Sequence, residues 1–450
     1  MACTLTNYLG SLSAQKRCRK RGCHAPPPQK LTRANRVRHP ESQWRSESIM
    51  RAPLSRSSVW LTLSVLILSC TVFQLGQARL RNPSVPPDEY ERTLRALDQY
   101  RALAAAPDEV FVPVTGTVKP GDAYSDAPLL IRRLSLLGDL AADAVPSDSD
   151  VYEGELVEAV KRFQSRHGLK PDGRIEATTL GQLNVPLCAR VRQLELSAER
   201  WRRHPYDPTR PAIVLNLPEF RLRAYGGTDA GSDPELEMKV VVGKAPDHKS
   251  PILLSQLQAV IFRPYWKVPV SIQRNELLPL IRKDPAWVSA NRFELVTPQG
   301  EVAEEEKLSE ETLEDISTGK LQLRQKPGPK NSLGLVKFLF PNEYGVYMHD
   351  TAAHSLFARE RRDLSHGCIR VEKPEDLAAW VLREQSDWPR ERIEEAMQGT
   401  EPVSVKVKRP IQIVMMYSTA SVMKNGEVHF FRDIYGEDAV LEKELAARRK

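Results

Sequence analysis

Gly345-Val346-Tyr347-Met348-His349 and, after a gap of fifteen residues, Ser365-His366-Gly367-Cys368-Ile369-Arg370 decide how the second half of this chain is read. Side chains along a strand point alternately to opposite faces, so Val346 and Met348 take one side and Tyr347 and His349 the other. By the same rule Cys368 and Arg370 share a face, and Ile369 and Val371 turn to an apolar one. Two such strands lying side by side would bring an imidazole to a thiol.

That pairing has a chemistry. A free cysteine is only slightly ionised at neutral pH, so a nucleophilic Cys368 needs a base to take its proton; His349 is the best placed and His366 the second candidate. Gly367 lets the backbone turn tightly, and the N–H groups of Gly367 and Cys368 are candidates to face an oxyanion. Arg370, on the face of Cys368, suits a carboxylate through two parallel hydrogen bonds. A lone cysteine is more often a small buried hydrophobe and a lone histidine a structural residue. Together they make a set that suffices for covalent acyl transfer. A zinc site built from His349, His354, His366 and Cys368 is the chemical rival, but none of the recurrent zinc spacings occurs among them. No cofactor or metal is expected.

The motif His349, fifteen residues, Ser365-His366-Gly367-Cys368-Ile369-Arg370 resembles the signature of the L,D-transpeptidase catalytic domain family (YkuD-like). Pro264-Tyr265-Trp266-Lys267-Val268-Pro269, Pro327-Gly328-Pro329-Lys330-Asn331 and His349-Asp350-Thr351 extend the resemblance to its larger YcbB-like subgroup, over roughly Tyr124 to Gly436. One departure is Ala352, where the family more usually carries proline. The resemblance implies a cysteine nucleophile, Cys368, and a histidine base, His349. Ser365, His366, Gly367, Arg370, Tyr347 and Asp350 would line the substrate and oxyanion pocket. The implied reaction is attack on the bond between the third, L-configured residue of a peptidoglycan stem peptide and the terminal D-alanine. A thioester forms, D-alanine leaves, and the side-chain amine of a neighbouring stem resolves the thioester to a 3-3 cross-link. Carbapenems that acylate Cys368 are a further implication.

The chain has 450 residues, room for two or three domains with a substantial core, and its 34 prolines favour loops and strand edges over a long helical array. The formal charge of +7 is concentrated at the start, where residues 1–49 hold 10 Lys+Arg against 2 Asp+Glu. Beyond residue 78 there are 53 basic and 56 acidic residues, so the basic balance gives no reason to expect a nucleic-acid partner. Arg51 and Arg56 precede an apolar run from Val59 to Leu75, and Gly76-Gln77-Ala78 offers small residues for cleavage. Residues 50–78 therefore read as an export signal or a membrane anchor, with the protein in the periplasm or cell envelope. Residues 1–49 read as a basic disordered tail, with Met50 an alternative translation start. After residue 78 only Cys188 and Cys368 remain of the six cysteines, too few for a disulfide framework; Cys368 is expected free and Cys188 structural.

The expected organisation is α+β and multidomain. Residues 79–120 form a helical spacer around Asp88 to Ala106. Residues 121–186 form a small all-α domain in which Leu156, Val160 and Phe163 recur at helical spacing before a stop near Gly168. Val160-Lys161-Arg162-Phe163-Gln164 with Asp172-Gly173 resembles the peptidoglycan-binding module, and the binding role is what that resemblance implies. Residues 187–210 read as a linker. A mainly β catalytic domain, a β-sandwich by the resemblance, spans 211–436, opening with Ala212–Asn216 and closing with strands around Val403–Tyr417 and Val428–Phe431 that pair back onto the sheet. Residues 271–325 break the β pattern with helical, acidic stretches and read as a helical capping insertion. Residues 437–450 are a charged tail. Three function classes follow: a transpeptidase, a hydrolase that gives the same thioester to water, or a non-catalytic wall-binding protein, the last disfavoured by an intact Cys368 and His349. The partners are stem peptides, a donor tetrapeptide and an acceptor amine; nothing in the sequence fixes an oligomeric state.

Overall fold

The computed structural model describes residues 88–448 apart from 107–108, 114–115, 142, 145–149, 228–232 and 304–307. The basic tail, the Met50 start and the apolar run Val59–Leu75 lie outside the described residues. Among those described, no helix is long and apolar enough to cross a membrane.

Fourteen strands are present among the described residues: β1 Ala212–Asn216, β2 Arg221–Tyr225, β3 Leu236–Gly243, β4 Leu253–Phe262, β5 Trp266–Lys267, β6 Phe293–Val296, β7 Gln322–Gln325, β8 Val336–Leu339, β9 Met348–His349, β10 Asp363–Ser365, β11 Ile369–Val371, β12 Val403–Met416, β13 Ala420–Val422 and β14 Val428–Phe430. Nine of them form one sheet in the order β10-β3-β11-β9-β8-β4-β12-β1-β2, and β3 also pairs β2. The expected sandwich is thus a single sheet folded back on itself. Val- and Ile-rich strands fill the space inside: Ile213, Val240, Val260, Phe338, Met348, Ile369, Val371 and Ile413 are fully buried in one cluster. The helix Pro374–Leu382 covers this core with Leu377, Ala378 and Trp380.

The helical part is built on α1 Asp88–Ala105, α2 Ala127–Leu137, α3 Gly154–Arg166, α4 Ala177–Leu183 and α5 Leu187–Arg203. Leu156, Val160 and Phe163 of α3 are fully buried with Leu130, Leu134, Ile175 and Leu180. The chain leaves α3 through Gly168 at φ +65°, a left-handed conformation that a side chain opposes.

Four expectations need correction. Residues 187–210 are no linker, because α5 buries Leu187, Leu194, Ala198 and Trp201, an apolar stripe hidden in sequence by its interleaved Arg and Glu. The strand at Val428 does not rejoin the main sheet. It pairs β13 instead, and the hairpin packs Phe430 and Val422 against Leu97, Tyr100 and Leu194 of α1 and α5. The residues after 436 form a helix, Glu437–Arg448, held to α5 by Arg192 on Glu442 at 2.7 Å and Arg203 on Glu444 at 2.9 Å. The insertion is not helical alone: β5, β7 and β6 make a three-stranded sheet, and with the helices Leu278–Lys283 and Glu310–Thr318 they enclose their own core of Val268, Ile281, Leu295, Ile316 and Leu323.

The helical domain is locked to the rest. Arg166 Nε donates to Asp139 Oδ1 at 2.6 Å and its Nη1 to the Val428 carbonyl at 2.9 Å, with both side chains almost fully buried. Removing the cation leaves a buried carboxylate without its partner, so Arg166→Met should cost about 3–5 kcal/mol of stability, read as a lower denaturation midpoint.

Candidate active site

Strand β9 lies between β8 and β11 on the sheet. Its pairing with β11 is parallel, Ile369 beside Met348 and Arg370 beside His349; its pairing with β8 is antiparallel, Lys337 beside His349. Alternation does the rest. Met348, Ile369, Phe338 and Val371 point into the core, so Lys337, His349 and Arg370 form one row on the opposite face. Extending the β9–β11 register by one residue sets Cys368 beside Tyr347. The expected juxtaposition of thiol and imidazole strands is therefore present, with the imidazole one row along from the sulfur.

The loop that carries Cys368 is stapled from several sides. Ser365 Oγ donates to the Cys368 carbonyl at 2.6 Å and accepts the Gly367 N–H at 3.1 Å. Ser250 Oγ donates to the Gly367 carbonyl at 2.8 Å and accepts the Gly243 N–H at 2.9 Å. Tyr435 Oη donates to the Gly243 carbonyl at 2.6 Å. Gly367 sits at φ +111°, where any other residue would be strained, and a Cβ on Gly243 would lie 2.9 Å from the Gly367 Cα. Such a loop holds the sulfur on rigid backbone.

Electrostatics divide the imidazole from the thiol. Burial, then the Arg370 charge, push the His349 imidazole down to about 3, against the pull of the Asp350 carbonyl. His349 Nδ1 lies 2.5 Å from that carbonyl, so this nitrogen carries the proton and Nε2 is the acceptor. Burial raises the Cys368 thiol, while hydrogen bonding from Tyr347 and the charges of Lys337 and Arg370 draw it back. The resting pair is thus thiol and neutral imidazole. Cys368 is the free cysteine among the described residues.

The other expected residues divide between the sheet face of Cys368 and the scaffold. Tyr347 and Arg370 share the face of Cys368, and the buried Arg370 Nε has no hydrogen-bond partner among the described residues. Ser365 is buried and spent on the loop, and the Gly367 N–H is committed to it rather than to an oxyanion. Asp350 is buried, its Oδ2 accepting the Leu335 N–H at 2.8 Å, which anchors the chain entering β8. His366 is turned outward, its Nε2 2.5 Å from Glu276 Oε1 of the insertion and its ring 4.7 Å from that of His248. Sequence reading missed Lys337, Glu276, His248 and Ser250. Only Lys337 left a trace in the sequence, as the polar member of Val336-Lys337-Phe338.

Comparison with known proteins follows the same lines. Residues 210–413 match the family model "L,D-transpeptidase catalytic domain", and residues 125–183 match "Putative peptidoglycan binding domain". A Haemophilus influenzae protein named "Putative L,D-transpeptidase" is 30% identical over 248 residues, 55% of this chain and 48% of the relative. The chain spans about half the length of that relative. Among solved structures, an L,D-transpeptidase from Stackebrandtia nassauensis is 13% identical, covering 69% of this chain and 98% of its own, at a TM-score of 0.25. L,D-transpeptidase 3 from Mycobacterium tuberculosis, in complex with a faropenem-derived adduct, is 13% identical over 45% of this chain and 60% of its own, at 0.20.

Proposed function

We propose, from a chain whose residues 210–413 match the L,D-transpeptidase catalytic domain and whose residues 125–183 match a putative peptidoglycan-binding domain, that this protein is a cysteine-dependent peptidoglycan L,D-transpeptidase. The observation that carries the reading is the free thiol of Cys368, just ahead of β11, beside the strand that bears a neutral His349 whose Nδ1 is held by the Asp350 carbonyl.

In this reading the stem tetrapeptide lies on the face that holds Tyr347, Cys368 and Arg370. Arg370 receives a donor carboxylate. As sulfur closes on the carbonyl carbon of stem residue three, its proton passes to His349 Nε2. The tetrahedral intermediate collapses, His349 returns the proton to the departing amine, and D-alanine leaves a thioester. An amine of a neighbouring stem then attacks, loses its proton to His349, and restores the thiol as the new amide forms. A resting thiol suits this order, since a permanent thiolate would be exposed to oxidants between turnovers. The peptidoglycan-binding domain supports a wall substrate, and an export signal at residues 50–78 would deliver the enzyme to it.

Incubation of the protein with tetrapeptide-bearing muropeptides, followed by product masses, tests the proposal. Dimers with the loss of one D-alanine are expected; tripeptides alone would make the protein a hydrolase, and unchanged substrate would reject the reading. Arg370→Lys should raise KM about tenfold or more with little change in thermal stability, because lysine lacks the planar fork; a stability loss instead would make Arg370 structural.

A further inference from the structure

Lys337 has no role in the reaction drawn above, yet it is a cation in the row of the active site. Its register partner is His349, so it projects on the reactive face. Its ammonium lies 3.7 Å from the centroid of the Tyr347 ring, and Tyr347 stands beside Cys368. Among the described residues no carboxylate pairs with it, and the sulfur of Cys368 is what favours its charged form against burial. A half-buried lysine without a carboxylate partner is costly to keep charged unless an anion is nearby part of the time.

We propose that Lys337 is the cation that stabilises the Cys368 thiolate, carried to the sulfur across the ring of Tyr347. This rests on the reading of Cys368 as nucleophile. When the thiol proton moves to His349, negative charge stays on sulfur and positive charge appears on an imidazole already flanked by Arg370 and Lys337. Lys337 offsets the first charge and Tyr347 hydrogen-bonds it, so the ion pair forms without help from solvent. Three groups act on the sulfur: Lys337 from β8, Tyr347 from the residue before β9, and Arg370 from its own strand, with His349 one row along. Lys337 is the one among them whose charge has no other assigned use.

Iodoacetamide alkylation of Cys368 followed across pH tests this in the full chain, because alkylation needs the thiolate but no wall peptide. In Lys337→Met the midpoint should rise by about one pH unit, a roughly tenfold slower reaction at pH 7, while Lys337→Arg stays near the parent. A reciprocal measurement avoids dependence on the folding of the Lys337 variants: acetic anhydride labelling of Lys337 should show a lower midpoint in Cys368→Ala than in the parent, because the two ionisations are linked. An unchanged alkylation midpoint in folded Lys337→Met, or an unchanged Lys337 midpoint without the sulfur, overturns the proposal. If both midpoints move but muropeptides are left untouched, the thiolate site stands and the transpeptidase reading falls.

Discussion

Cys368→Ala protein should yield no cross-linked muropeptide, a loss of about 10⁴-fold or more, while unfolding within about 1 kcal/mol of the parent. The size of the effect follows from covalent chemistry: with sulfur gone no thioester forms, and the remaining side chains of that face cannot replace it. The small stability change follows from position. The Cys368 side chain lies at the edge of the core and takes no part in the loop's hydrogen bonds, which run through its carbonyl to Ser365 and through Gly367 to Ser250. Product masses and a thermal melt on one preparation decide it; undiminished cross-linking rejects the nucleophile.

His349→Ala should slow turnover by about 10²–10⁴-fold, the usual worth of a positioned general base. Its pH behaviour separates it from Cys368→Ala. In the folded protein the imidazole titrates at about 3, in the unfolded chain near 6.5, so unfolding takes up a proton at any pH between. The contribution of His349 to stability is therefore full above 6.5 and is lost as pH falls toward 3. His349→Ala should flatten that acid limb of the stability curve relative to the parent, whatever cavity cost it adds at neutral pH. A few-fold loss of turnover, or an acid limb of unchanged slope, would remove His349 from its place as base.

Much of the site could be read from alternation alone. Val346, Met348, Ile369 and Val371 are apolar because they face the core, and that constraint forces Tyr347, His349, Cys368 and Arg370 together on the other side. The row that includes Lys337 was not legible, since a strand's sequence does not reveal its neighbour. The same limit hid the insertion's sheet, whose strands of two to four residues are too short to show a period. Glu276 could not be linked to His366 for a different reason: 90 residues separate them, and only the insertion's own fold returns one to the other. Where a stripe was present but diluted, as in α5, the signal existed and the charged residues between its apolar positions concealed it.

Arg166, on the longest helix of the segment that matches the peptidoglycan-binding model, reaches the Val428 carbonyl, and the backbone N–H of Lys170 is held at 2.6 Å by Glu360 from the chain just before Cys368. If that domain binds wall glycan, as proposed, a module fastened this way would behave as a ruler and not as a tether. Glycan seated on it would offer its stems at one fixed offset from the sulfur, so the spacing of bridges in the mesh would be set by the enzyme's own dimensions.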